Sequence, residues 1–235
     1  MTPTWKTVAT ALVADLRTVF GDRLRAVVAY GPHFDGLTGA PLTTLALVAD
    51  VTVTDLEACA KMSSRWRRLD AATPLILPED EFRRSLDAFP LEYGEIIRAH
   101  ALVFGNDPFA DVAISKTDLR RACETQVKSH LVHLREGFIE SGGTVGAVGE
   151  LVKASAPAFA ALLRNVARLH AVETSDRMEA TLLGARAARL PDGVVSDVLS
   201  LEHPTTIPSL DPARLFPAYL AVVEQLARSV DTWHS

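Results

Sequence analysis

Five residues between two apolar stretches are the first place where this sequence could do chemistry: Gly31, Pro32, His33, Asp35 and Gly36. They lie in LRAVVAYGPHFDGLTGAPLTTLALVAD, residues 24–50. An apolar run leads into a glycine-bracketed loop, and a second apolar run follows. Glycines in such a loop let backbone amides converge on an anion, so phosphate binding is the chemistry to consider. Pro32 works against it, because proline offers neither an N–H nor a hydroxyl. A phosphate would have to rely on the amides of His33, Phe34 and Asp35 while facing the Asp35 charge. The same residue types also make an ordinary tight turn between strands.

Other spacings are weaker. Glu79-Asp80-Glu81 sets two glutamates one residue apart, but on a helix these diverge by about 200°. The triplet suits the positive end of a helix dipole instead. His130 and His133 lie one turn apart, with Glu136 a further turn on. Zinc needs three or four convergent ligands, and the helix rotates Glu136 away from His130, so a solvated or half-buried face is expected. Arg164 and His170 fit the loose R-x(4–6)-H pattern of HEPN ribonucleases, a pattern that also arises easily in Arg-rich helices. Arg65-Trp66-Arg67-Arg68 closes a helix, where positive charge is stabilising. Gly142, Gly143, Gly146 and Gly149 lack the Gly-Lys-Ser/Thr ending of a phosphate loop and read as a helix break.

The elements that would position these residues follow from periodicity. Trp5 to Val19 repeats apolar residues at three- and four-residue spacing, a helix that Gly21 can end. Leu24–Tyr30 and Leu42–Ala49 read as buried strands. Thr54-Asp55-Leu56-Glu57 has the form of a capping box and should start a helix reaching about Leu69. Thr73–Leu77 is a short third strand, and Pro78 opens a helix. Pro90–His100 reads as a helix and Ala101–Phe104 as a fourth strand. After Pro108 the strand signal disappears. Helices are expected over Leu119–Ser141, Val145–His170 (kinked or split at Pro157), Asp176–Leu190, Val194–Leu201 and Pro212–Trp233. His203–Asp211 reads as a surface connection. The expectation is an α/β (α+β) fold: a mixed-sheet domain over residues 1–112, then a helical bundle over 113–235.

At 235 residues the chain can bury a sizeable core, and its 48% apolar and 23% charged residues are ordinary for a globular protein. The net charge of −5 argues against a broad electrostatic grip on nucleic acid. No membrane span and no leader are expected, and two cysteines, Cys59 and Cys123, suggest no disulfide framework. A bacterial cytoplasmic setting is the expectation.

The frame of VVAY, Gly31, Gly36 and a second buried strand resembles the entry to the nucleotidyltransferase fold. That family joins a small mixed-sheet domain to helices, as in the kanamycin and minimal nucleotidyltransferases. Its motif reads G-S-x-x-x-G, followed by S-D-x-D on the next strand. Here Pro32 stands at the serine, and Thr43, Thr44, Leu45 and Ala46 stand at S-D-x-D. The resemblance implies ATP and magnesium held by paired carboxylates, because two hard cations clamp the attacking and leaving oxygens. Thr44 and Ala46 would be the degenerate metal-ligand positions, and the third strand has no carboxylate either. The expected function is therefore a catalytically inactive nucleotidyltransferase-fold protein that binds a small molecule or a protein. No metal and no cofactor are expected, and the resemblance implies a homodimer. The expected ligand site is the relic cleft between the Gly31–Gly36 loop and the helical domain. Three alternatives stand beside it. One is an active transferase moving a nucleoside monophosphate to a small molecule or a protein, using ATP and magnesium with unorthodox ligands, Asp35 and Asp50. Another is a HEPN-like ribonuclease using Arg164 and His170. The third is a partner-binding protein with its cleft filled by side chains.

Overall fold

The structure, a computed structural model, describes residues 4–31, 40–172, 174, 176–201 and 211–233. The chain forms two compact units, Met1–Ser115 and Lys116–Ser235.

The first unit is built on a four-stranded sheet. Helix α1 (Trp5–Phe20) carries its apolar stripe into the core through Val8, Ala9, Leu12, Leu16 and Phe20, and Gly21 caps it at φ 53°. One 3-10 turn leads to β1 (Leu24–Tyr30). Then come β2 (Thr43–Val48), α2 (Val53–Arg68), β3 (Leu75–Pro78), α3 (Glu79–Arg84), α4 (Pro90–Arg98) and β4 (His100–Gly105). The strand order is β3-β2-β1-β4, with β2 and β3 parallel and the other neighbours antiparallel. His100 begins β4 rather than ending the helix before it.

Both faces of the sheet are covered. On one face Val27, Ala29, Leu42, Ala46 and Val48 join Leu12, Leu16, Cys59 and Trp66 of α1 and α2. On the other, Ala26, Val28, Leu45 and Leu47 join Phe82, Tyr93, Ile96 and Phe109. A strand buried on both sides has no alternation of apolar and polar residues, which is why β1 and β2 read as continuous apolar runs. Asp15 fixes α1 to α2: its buried carboxylate accepts from the Trp66 indole at 3.0 Å and from the Arg65 guanidinium.

The capping box of α2 begins two residues earlier than the sequence suggests. Thr52 Oγ1 accepts from the Asp55 amide at 3.2 Å, and Asp55 Oδ2 accepts from the Thr52 amide at 2.9 Å. A distant partner decides the register. Arg23 donates to both Asp55 oxygens, at 2.6 and 2.9 Å, which fixes Asp55 as the third helical residue.

The second unit is all helical: α5 (Lys116–Glu140), α6 (Val145–Leu169), α7 (Arg177–Ala187), α8 (Asp192–Ser200) and α9 (Pro212–Asp231). Gly142 and Gly143, at φ 60° and 66°, make the turn between α5 and α6. Pro157 does not split α6. It lies on the exposed side, so water can satisfy the carbonyl that its missing N–H leaves free, while Val152, Ala156, Phe159 and Ala160 hold the other side in the core. Among the described residues α6 is one helix long and apolar enough, by length and composition, to cross a membrane. Within its unit it packs on α5, α7, α8 and α9, and a central core helix acquires the same composition. Gly184 brings α7 against α6; a Cβ there would collide with the Leu163 carbonyl.

Candidate functional site

The expected site lies where β1 ends and β2 begins. Gly31 follows Tyr30 with φ +84°, and a Cβ there would sit 2.6 Å from Thr43 Oγ1. Backbone conformation and space both demand glycine at this position. The Thr43 hydroxyl donates to the Tyr30 carbonyl, so the first residue of β2 ties the strand mouth shut from within. Pro32, His33, Asp35 and Gly36 lie outside the described residues. Burial, with Tyr93 beside it, raises the Tyr30 phenol above its ordinary range.

Thr44 pairs with Ala29 and Ala46 with Val27, so both point to the face packed by α1 and α2. Ala46 is fully buried there. Thr44 is 1% exposed, and its hydroxyl has no hydrogen-bond partner among the described residues. The opposite face of β2 carries Thr43, Leu45 and Leu47, and the last two are core residues beneath Phe82 and Tyr93. Alongside, β3 contributes Leu75, Ile76 and Leu77. Neither strand has a carboxylate on either face, and aliphatic side chains with two threonine hydroxyls supply no anionic oxygen for a hard divalent cation. Among the described residues no three His, Cys, Asp or Glu side chains are grouped to hold a metal ion.

Asp50, a ligand in the active-transferase alternative, lies beyond the far end of β2. The antiparallel register puts Val48 opposite Leu24, a whole strand away from Gly31. Its carboxylate accepts from Arg23 Nη1 at 2.7 Å. The same guanidinium, followed by Thr52, holds the Asp55 carboxyl well below the ordinary range. Asp50 therefore serves a structural ion pair at the wrong end of the sheet for that alternative.

The remaining candidates are taken up by packing. His130 Nε2 lies 2.8 Å from the Tyr219 hydroxyl, whereas His133 Nδ1 lies 3.1 Å from Glu136 on the surface. The two histidines thus have separate partners. Burial lowers the His130 pKa to about 4 and raises that of the Tyr219 phenol. Arg164 and His170 are six residues apart, about 120° around the axis of α6. The His170 ring packs edge-on to Trp233 at 6.2 Å, and burial lowers its pKa. Glu79 and Asp80 pair with Arg83 and Arg84 along their own helix, at 3.5 and 2.9 Å. Cys59 and Cys123 are free and buried, and burial pushes the Cys123 thiol up to about 12.

No protein-family model matches the chain, and no curated protein matches it. Among solved structures, it is similar to the spectinomycin adenyltransferase AAD(9) from Enterococcus faecialis, determined with ATP and spectinomycin. The similarity covers 96% of this chain and 99% of that one, with a TM-score of 0.61 and 12% sequence identity. The fold is nucleotidyltransferase-like. At 12% identity that likeness is one of fold. The Arg23 network gives no local sequence signal, because it depends on residues brought together from different elements.

Proposed function

We propose that this chain is a nucleotidyltransferase-fold protein that does not transfer nucleotides and acts by binding a small molecule or another protein. The observation that carries the reading is β2: Thr43–Val48 contains no carboxylate, and Leu45 and Leu47 fill a core of aromatic and aliphatic side chains. In-line phosphoryl displacement needs its developing charge neutralised, and two-metal clamps do this through carboxylate ligands. Without them, a triphosphate laid along either face of β2 would meet hydroxyl and hydrocarbon. The engagement of Asp50 by Arg23 further supports the inactive reading over the active one. A bacterial cytoplasmic setting and a homodimer belong to the same proposal, and two free buried thiols suit a reducing compartment.

The test is a transfer assay with α-labelled ATP or GTP, magnesium or manganese, and a panel of hydroxylated small molecules and proteins. The proposal expects no labelled acceptor and no pyrophosphate release above a no-protein control. Metal-dependent pyrophosphate release that tracks with the purified chain would sink it.

A further inference from the structure

We propose that the α/β unit carries a separate binding site at the bulged end of its sheet, shaped for a small zwitterion of the free α-amino-acid type. The end of the sheet is built by a bulge in β1 and a close backbone approach from the end of β4. Leu24 pairs with Val48 and Ala26 with Leu47, so Arg25 is an extra residue in β1. Such bulges re-aim side chains and bend the strand. Across from it, Gly105 takes φ +80° and lies so close to the Arg25 carbonyl that any Cβ would collide with it. This close approach brings the turn after β4 against the start of β1.

The result is a cavity of about 230 Å³. Ala26 and Leu47, both buried, supply its apolar floor, and Arg25, Arg83, Glu79 and Asp107 supply charge of both signs around it. Arg25 is exposed, and its side chain has no hydrogen bond or ion pair among the described residues. Arg83 and Glu79 share only a loose pair at 3.5 Å, each about half exposed. Asp107 Oδ1 accepts from the Phe109 amide at 2.9 Å and faces His100 Nε2 at 3.6 Å. A volume below the roughly 300–1,000 Å³ of drug-sized pockets fits a ligand of few heavy atoms. A carboxylate suits the guanidiniums, which can bind it with two parallel hydrogen bonds. An ammonium suits Glu79 and Asp107, and a short aliphatic part suits the floor. Arg25 is five residues before Tyr30, about 17 Å along the strand, so this site is independent of the Gly31 loop and of whether transfer is lost.

The experiment is a nuclear magnetic resonance titration of the full ¹⁵N-labelled chain with glycine, L-alanine, L-leucine and L-glutamate. Acetate and methylammonium serve as half-ligand controls. At up to about 10 mM even millimolar affinity registers. The expected result is saturable shifts at the Ala26, Leu47, Gly105, Asn106 and Asp107 amides with at least one amino acid. Arg25→Gln should weaken that binding about tenfold or more, since a charge-assisted hydrogen bond is lost. Glu79→Gln, on an exposed helix, should weaken the amino acid and leave acetate unaffected. It also tests the site if Arg25→Gln fails to fold. The proposal is overturned if no amino acid shifts these amides, if acetate or methylammonium alone binds as tightly, or if both variants bind like the parent.

Discussion

Ala46→Asp restores a carboxylate at one of the positions where the family motif would have it, and the structure says what should happen. Ala46 is fully buried in a cluster with Val27, Leu42, Val48, Cys59 and Trp66. Burial of this kind lifts a carboxyl pKa by about 3–5 units. Starting from an unfolded value of about 3.9, a native value at or above 7 makes the penalty about 4 kcal/mol at pH 7. The added volume costs about 1–3 kcal/mol more at any pH. Against a total stability of about 5–15 kcal/mol, the variant should be barely folded at neutral pH. The sign of the pH dependence is fixed. The folded form binds the proton more tightly, so the charge penalty is absent below the unfolded pKa and grows as pH rises toward the folded one. Urea unfolding followed by tryptophan fluorescence, near pH 7 and near pH 4.5, should show a large loss that shrinks to about 1 kcal/mol of charge penalty at the acid end. Thr44→Val should move the other way, stabilising by about 1 kcal/mol because it removes an unpartnered buried hydroxyl. An Ala46→Asp midpoint equal to the parent's would refute this assignment of faces, as would a loss that does not change with pH.

Three further outcomes follow from the same geometry. Protonating Asp55 breaks its pairing with Arg23 and Thr52, so the α/β unit should lose stability as pH falls below the ordinary carboxylate range; Asp55→Asn should remove this acid limb in urea titrations. His130 is held at about 4 by burial, with His133 nearby, against an ordinary 6.5. Its contribution is therefore complete above pH 6.5 and lost as pH falls toward 4, about 3 kcal/mol in all. His130→Phe should flatten that limb in thermal melts of the helical unit. Gly184→Ala should destabilise the α6–α7 contact by about 3 kcal/mol, because a Cβ collides with backbone that cannot swing aside. A wild-type melting temperature for that variant would contradict the packing described.

Much of the fold was legible in the sequence because apolar runs and punctuation coincide with the elements. Leu24–Tyr30 is a strand with the expected bounds, Gly21 ends α1, and Pro78 and Gly142-Gly143 mark the boundaries they suggest. What could not be read is the facing of β2. In Thr43–Val48 both faces are buried, so nothing in the pattern says that Thr44 and Ala46 lie under α1 and α2 while Leu45 and Leu47 lie under α3 and α4. The β1 bulge hides the facing of its own strand, since Leu24 and Ala26 would share a face in a regular strand and here do not. The α2 capping box was misplaced because Thr54-x-x-Glu57 and Thr52-x-x-Asp55 are equally good locally, and only Arg23, far away in sequence, chooses between them. Asp50 looked available as a ligand for the same reason: its ion pair is a tertiary contact.

The most direct test of the central claim is calorimetric titration of the folded 235-residue chain with ATP and with GTP, each with and without magnesium. The account predicts no magnesium-dependent heat with either nucleotide, because β2 and β3 present no ligand for the cation. Magnesium-dependent binding that is lost when Gly31 is replaced by alanine in a still-folded chain would contradict it.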